Sequence, residues 1–436
     1  MEDTSRSQPI STQIQEIAKQ AIEYPEMVFT TLAHRIDVEW LREAYRQTNK
    51  SSAAGIDGIT AAEYAANLDE NLRNLHQRVD NGQYKAPPVE RVWLDKEDGR
   101  KRPIGKPTFE DKIVQRAVVM LLEPIYEQEF YDFSYGFRKG HSAHQALHET
   151  REACRQENIN WIIDADVSRF FDELGHDQLR GFIKRRVNDG GIMRLIGKWL
   201  NAGVMEEGKL TYAEKGSPQG GVISPLAANI FLHYVLDEWY KQEVKPRLKG
   251  RSFLVRFADD FIIGCELESD ARRVMEVLPK RFERYGLTIH PEKTKLVKFG
   301  KPPKKEQPGS KNETFDFLGF THYWAKSRRG YWVIKRKTAR KRQRRSIKSL
   351  CQWCKQNRHL PIEEQYQILC LKLRGHYQYY GILSNYRQLE KVYHQVMQGW
   401  RYWLNRRDNQ RKVIWGKFKK TLTNFTLPKP RIIHAI

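Results

Sequence analysis

The run SFLVRFADDFIIGCEL, Ser252 to Leu267, sets two aspartates side by side in a stretch that is otherwise nearly all apolar. Adjacent carboxylates repel, and burying them is costly unless something positive neutralises them. The β-branched and aromatic flanks predict strand, tight turn, strand, with Asp259 and Asp260 at the tip. Aspartate is common in turns, but an Asp-Asp pair lacks the glycine that two-residue hairpins favour. The flanks RFA and FII also carry apolar character right up to the tip. Two oxygen-rich anions at close quarters suit a hard divalent cation, above all Mg²⁺.

One further carboxylate would turn a metal site into a catalytic one. WIIDADVSRFFDELGHDQL, Trp161 to Leu179, supplies Asp164, Asp166 and Asp172 where another apolar strand ends. Three aspartates holding two Mg²⁺ ions about 4 Å apart can activate a 3′-hydroxyl and stabilise a departing pyrophosphate. Aspartates at strand ends are usually caps or turn residues, and the pattern alone does not choose among the three.

Around these strands the chain reads as mixed helix and sheet. Residues 1–50 contain no glycine and look helical, SSAAGIDGIT makes a turn-rich break, and a helical pattern resumes to about Asp80. VERVWL and a basic segment flank Asp98-Gly99, which predicts a hairpin carrying exposed cations. Residues 108–131 are helical in spacing, as is most of the middle. Gly300 to Glu313 reads as a linker or exposed loop, FDFLGFTHYW as β-like, and Arg329-Gly330 as a hairpin turn. From about Lys335 the tail is expected to be helical and basic. A length of 436 residues allows two or three domains.

Lysine and arginine total 76 against 53 acids, a net charge of +23. Residues 1–300 hold 44 basic and 46 acidic side chains, whereas residues 301–436 hold 32 and 7. An excess confined to the last third marks a polyanion-binding surface, because a general solubility device would be spread out. A solvated basic face without a partner is the alternative. No apolar run is long enough to span a membrane, and MEDTSRSQ opens no secretory signal. The expectation is a soluble, cytoplasmic protein with no membrane partner. Five cysteines do not make a disulfide framework. Cys351 and Cys354 have the spacing of half a zinc site, with Cys370 and His376 as further candidates, against ordinary helix-face cysteines.

Eight blocks, in order, carry a resemblance: AAGIDGIT, KRPIGKPTFEDKIVQRAVVMLLEPIYE, FSYGFRKGHSAHQAL, DADVSRFFDELGHDQL, KGSPQGGVISPLAANIFLHYVLDEW, RFADDFIIG, GLTIHPEKTKLVKFG and FDFLGF. The chain resembles the group II intron-encoded reverse transcriptase and maturase family, in its bacterial type without the C-terminal endonuclease domain. The resemblance implies an α+β right-hand polymerase. Residues 1–80 would form an N-terminal extension and the start of the fingers. Residues 81–325 would form fingers and palm with an antiparallel palm sheet, and residues 326–436 a helical thumb or maturase domain with a short basic tail. It implies an RNA-directed DNA polymerase, using two Mg²⁺ ions and dNTPs on an RNA template with a DNA primer or target. It further implies binding of group II intron RNA and help in its splicing. Whether the protein is a homodimer stays open.

Within the resemblance, Asp166 becomes the first metal-binding carboxylate, five residues before Phe171, with Val167 beside it in the metal set. Asp259 and Asp260 match the acidic pair of the family's aromatic-x-Asp-Asp signature, and Asp164 and Asp172 become structural neighbours. Phe257 stands where tyrosine is usual, a departure that removes a hydroxyl and leaves the metal chemistry intact. Phe171 would lie beneath the incoming sugar and exclude a 2′-hydroxyl, with Phe170 in the core. Lys96 and Arg102 would grip the triphosphate, Gln219 in SPQGG would contact the nucleotide, and Lys293 would protonate pyrophosphate unless it is a surface lysine. FDFLGF resembles the segment that supports the primer terminus.

LRGHYQYYGILSNYRQLEKVYHQVMQGWRYWLNRR, Leu373 to Arg407, resembles the family's thumb region. Phosphate contacts to RNA are assigned to Lys335, Arg336, Lys337, Arg340, Lys341, Arg342, Arg344 and Arg345. Many of the thumb rings must pack in the core, and any that are exposed could stack on unpaired bases. No Cys/His cluster of the His-Asn-His nuclease kind follows, so no DNA endonuclease activity is expected. Two other readings stand beside this one. One is an intron-free reverse transcriptase of the same lineage in another role such as defence. The other is a non-catalytic RNA-binding splicing cofactor, against which the full set Asp166, Asp259 and Asp260 argues.

Overall fold

The computed structural model describes residues 9–95, 101–206, 209–212, 220–303, 313–407, 423 and 425–436. The apolar runs that flank the aspartates form a four-stranded antiparallel sheet, ordered Lys295–Lys298, Trp161–Ala165, Asp260–Cys265, Ser252–Phe257. Successive strand residues face opposite ways, and both faces of Trp161–Ala165, Asp260–Cys265 and Ser252–Phe257 are covered, so these three show no polar alternation, whereas the edge strand Lys295–Lys298 keeps exposed lysines at its ends. One face sets Ile162, Phe253, Val255, Ile262 and Val297 with Ala146 and Leu147 of helix Ala143–Gln156. The other sets Ile163, Leu254, Phe261 and Ile263 with Val274, Leu278 and Phe282 of helix Glu268–Glu283. Each fully buried Phe or Ile contributes about 1.5–3 kcal/mol, so the sheet is a firm platform for what its strand ends carry.

The N-terminal patterns form helices Ile10–Glu23, Val38–Gln47, Ala61–Ala66 and Leu68–Asp80, which pack with the almost wholly buried helix Phe109–Tyr126. Asp189 fastens this region to the middle of the chain. Its Oδ2 accepts from the backbone N–H of Leu32 at 2.7 Å and Ala33 at 3.1 Å, and its Oδ1 accepts from Ile192 at 2.9 Å. Burial alone would raise this carboxyl, but four backbone donors, from Ile192, Leu32, Ala33 and Gly191, outweigh it and hold the group below the usual range. The expected basic hairpin exists as antiparallel strands Val89–Asp95 and Lys101–Lys106, extended by Val204–Glu206 and Lys209–Thr211.

The C-terminal third differs from the expected helical tail. Trp332–Thr338 is a strand, paired with Phe320–Lys326, and the helix begins only at Arg340. The segment WVIKRKT alternates with period two, so Ile334, Arg336 and Thr338 share the buried side while Lys335 and Lys337 take the other. Arg336 is 2% exposed and donates to the carbonyls of Leu147 at 3.0 Å and Ile436 at 2.5 Å. The expectation that it contacts RNA is therefore corrected: its donors are spent inside the protein. Helices Arg340–Gln356, Ile362–Tyr380 and Tyr386–Leu404 then enclose a separate core of Leu350, Leu369, Leu373, Val392, Val396 and Trp400. Among the described residues no helix is long and apolar enough to cross a membrane.

Candidate active site

Strands Ser252–Phe257 and Asp260–Cys265 close over a two-residue turn, Ala258 and Asp259, with Phe257 opposite Asp260. In place of the usual glycine, Ala258 takes the left-handed conformation, φ 57°. That costs an L-residue about 1–2 kcal/mol, so the surroundings must hold it. On the neighbouring strand, Trp161–Ala165, Asp166 follows the last paired residue. Its backbone N–H donates to Thr294 Oγ1 at 3.3 Å, and its carbonyl accepts from the His290 N–H at 2.8 Å. The loop HPEKT thus wraps the Asp166 backbone and brings Lys293 Nζ to 2.8 Å from Asp166 Oδ2.

Val167 is buried and pairs with Ile289. Arg169, at φ 44°, then turns the chain into the short helix Phe170–Glu173. Phe170 and Phe171 are both buried, edge to face at 5.2 Å. The two left-handed residues that flank this region, Arg169 and Ala258, are the kind of strain that clusters at functional sites.

Electrostatics tie the strand ends together. Asp260 keeps exposed surface at the strand's start, with protein packed around its carboxyl. That crowding, then Asp164, Asp259 and Asp166 in turn, pushes its carboxyl up to about 7, while Arg342 pulls the other way. Burial, Asp316 and Asp166 likewise push Asp164 up to about 7, against Lys295. Asp164, set aside in the sequence as a structural neighbour, therefore belongs electrically to the acidic group, whereas Asp172 is exposed. Among the described residues no three His, Cys, Asp or Glu side chains stand close enough to grip one ion together. The chemistry of the donor set still fits a hard divalent cation: oxygen ligands only, with negative charge crowded enough to destabilise itself.

Lys96 and Gln219 lie outside the described residues. Arg102 is placed by its backbone in strand Lys101–Lys106, opposite Leu94. Gly220, the first glycine after Gln219, has φ 117°, and a Cβ there would meet the Gly105 carbonyl at 2.2 Å. Gly220 therefore lets the backbone press against that strand. Beneath the turn lie three buried polar residues that sequence reasoning missed: Arg256, Asp237 and Asn229. An arginine in the middle of SFLVRFA was the available signal.

The basic surface is sorted by structure. Arg340, Lys341, Arg342, Arg344 and Arg345 are exposed on the first turns of helix Arg340–Gln356. Lys335 donates to the Lys326 carbonyl, and Lys337 lies over the Tyr323 ring at 4.8 Å. Among the rings, Tyr377 and Trp400 are core, whereas Tyr386 and Tyr402 are exposed. Cys351 and Cys354 stand on one helix, with Cys354 buried in the C-terminal core.

Comparison with known proteins gives a concordant result. Residues 94–322 match the family described as "Reverse transcriptase (RNA-dependent DNA polymerase)". Protein YkfC of Escherichia coli (strain K12) is 35% identical over 271 residues, covering 54% of this chain and 71% of that protein. The group II intron-encoded protein LtrA of Lactococcus lactis subsp. cremoris is 34% identical over 305 residues, covering 67% of this chain and 50% of LtrA. Nuclear intron maturase 3, mitochondrial, of Arabidopsis thaliana is 24% identical over 223 residues, covering 44% of this chain and 31% of that protein.

Proposed function

The chain belongs to the reverse transcriptase family, and on that premise we propose an RNA-directed DNA polymerase that also binds a group II intron RNA and assists its splicing. Membership implies a right-hand polymerase fold, divalent-metal dependence and nucleic-acid partners, and the mixed fold with antiparallel sheets agrees at that coarse level. In the finer reading, residues 1–80 start the fingers, 81–325 complete fingers and palm, and 326–436 form a helical thumb. The central sheet is then the palm.

The observation that carries the catalytic reading is the gathering of Asp164, Asp166, Asp259 and Asp260 at neighbouring strand ends, where their charges act on one another. In this reading Asp166, Asp259 and Asp260, with the Val167 carbonyl, hold two Mg²⁺ ions. Ions bound there would favour the deprotonated primer 3′-hydroxyl and neutralise charge on the departing pyrophosphate. Phe171, fixed against Phe170, presents a rigid wall to the sugar. Lys293, at 2.8 Å from Asp166, is in position to deliver a proton to a leaving group beside that carboxylate. Lys96, Arg102 and Gln219 are assigned to the triphosphate. The exposed cations of helix Arg340–Gln356 are assigned to RNA phosphates, where each contact releases counterions.

The direct test is extension of a DNA primer on an RNA template with dNTPs and Mg²⁺. No product from the purified protein would remove the polymerase reading. The splicing role is tested separately, with an RNA spanning the gene's own flanks. Faster splicing of a group II intron in the presence of the protein is expected, and a flanking sequence with no intron fold would favour another role for the same enzyme.

A further inference from the structure

The positive-φ turn that carries Asp259 and Asp260 does not hold itself. Three residues before Asp259, in a strand whose other members are apolar or small, Arg256 is wholly buried, and so is its partner Asp237. Burying two charges costs several kcal/mol per ion unless their hydrogen bonds are nearly complete. Here they are. Arg256 Nε donates to Asp237 Oδ1 at 2.8 Å, and Nη2 donates to Oδ2 at 2.5 Å, a two-pronged pair. The remaining Nη1 donates to Asn229 Oδ1 at 2.9 Å and to the carbonyl of Ala258 at 3.1 Å.

That last contact reaches the strained residue itself. The Ala258 carbonyl belongs to the peptide that joins Ala258 to Asp259, so fixing it fixes the direction in which Asp259 leaves the turn. Asn229 extends the grip, since its Nδ2 donates to the Gly136 carbonyl at 2.7 Å. Gly136 lies so close that a Cβ there would come within 2.2 Å of the Ala258 nitrogen. The same loop pairs with the strand on its other edge: the Tyr135 N–H donates to the Arg256 carbonyl at 2.8 Å, and the Arg256 N–H to the Phe133 carbonyl at 2.9 Å. Asp237 closes a π-helical segment, His233–Asp237, a geometry that often marks a functional constraint.

We propose that Arg256, braced by Asp237 and Asn229, is the positioning residue of the catalytic turn, setting where Asp259 and Asp260 stand relative to Asp166. The inference rests on the reading that those acids hold the metal. A plain core-filling pair would need no third and fourth partner on the turn and on the loop behind it. Arg256 makes no contact with substrate; it acts through the Ala258 peptide.

Two variants test it. Arg256→Lys keeps the charge but replaces a planar fork with a single ammonium, which cannot serve Asp237, Asn229 and Ala258 together. The pair Arg256→Met with Asp237→Leu leaves no unpaired buried charge and is expected to fold. In both, the Mg²⁺ concentration giving half-maximal primer extension should rise about tenfold, and kcat should fall about 10- to 100-fold. The Kd for template and primer should stay within about twofold, because the phosphate contacts lie elsewhere. Folded variants with wild-type metal dependence and kcat would overturn the proposal. Failure of both variants to fold would overturn it too, reducing the fork to a pillar of the palm. Asp259→Asn runs alongside as a reference. If it copies normally, the metal reading of the turn is at fault; if it is dead while the fork variants behave as wild type, the positioning role alone is lost.

Discussion

At the turn of the central sheet, Asp259 and Asp260 act electrostatically with Asp164 and Asp166, above an arginine whose hydrogen bonds are used inside the protein. On helix Arg340–Gln356, Arg340, Lys341 and Arg344 stand in solvent, and no acid occupies the first turn. Both arrangements cost stability. Carboxylates crowd one another at the sheet's strand ends, and cations sit at a helix N-terminus, where the macrodipole disfavours them by about 0.3–1 kcal/mol each. The difference lies in how the cost is held. At the sheet's turn each charge depends on its neighbours, so single changes should act strongly and without additivity. Arg340, Lys341 and Arg344 are exposed to solvent, so changes to them should be small, cumulative and sensitive to salt.

The comparison breaks first at the acids. Asp166→Ala, Asp259→Ala and Asp260→Ala should each reduce RNA-templated extension about 10³-fold or more, with combinations little worse than singles. Extension at fixed Mg²⁺, with folding checked by circular dichroism, measures this. Wild-type-like copying by any one of the three would place the chemistry elsewhere. Phe171 comes next. Packed on Phe170 at 5.2 Å, it has little room to give way. Phe171→Val should relax discrimination against ribonucleotides about 10- to 100-fold, read as the ratio of kcat/KM for dNTP and rNTP in single-nucleotide extension. An unchanged ratio would return Phe171 to the core.

The contrast also explains what the sequence could disclose. Strands 161–165 and 252–265 were legible because both faces are buried, which leaves unbroken apolar runs interrupted only where function demands it. Asp259 and Asp260 stood out against that background for the same reason. Asp164 did not, because its place in the acidic group depends on Asp316 and Asp166 being near in space. Arg336 is hard to place from sequence because nine cations in the fifteen residues Ile334 to Lys348 hide a period-two pattern and make the strand look like the start of the helix that begins at Arg340. Arg256 was visible as an odd charge in a strand, but its partners are 19 and 27 residues away, and no spacing rule connects them.

Asp189 offers a carboxylate of the opposite kind, and so sharpens the comparison on the acidic side. Burial raises Asp164 and Asp260, which face other carboxylates, while Asp189 is drawn down by four backbone donors. A folded-state pKa below the unfolded value gives stability that is present above the unfolded pKa and lost as pH falls through the folded one. Wild-type Tm should therefore drop as pH is lowered through and below the ordinary carboxylate range. Asp189→Ala should be less stable by about 1–3 kcal/mol at pH 7 and should lose less of what remains on acidification. Parallel Tm–pH curves for the two proteins would show that the group contributes nothing through its charge.

The smallest effects belong to helix Arg340–Gln356, and they test whether its charge is used at all. Arg340 and Arg344 are both exposed on the same helix, four residues apart and hence on one face. Each change to alanine should weaken RNA binding only about two- to fivefold, in the range of an exposed ionic contact. Helix stability should hold or rise slightly, since a cation leaves the N-terminal end. The diagnostic quantity is the salt dependence. If each arginine meets a phosphate, the slope of log K against log salt should become shallower by about 1 for each one removed. The effects should add in the double variant, because neither residue relies on the other. A weaker affinity with an unchanged slope would mean that the helix was disturbed rather than discharged. Unchanged affinity and slope would leave the basic face solvated and without a polyanion, and the contrast with the acidic strand ends would then be one of packing alone.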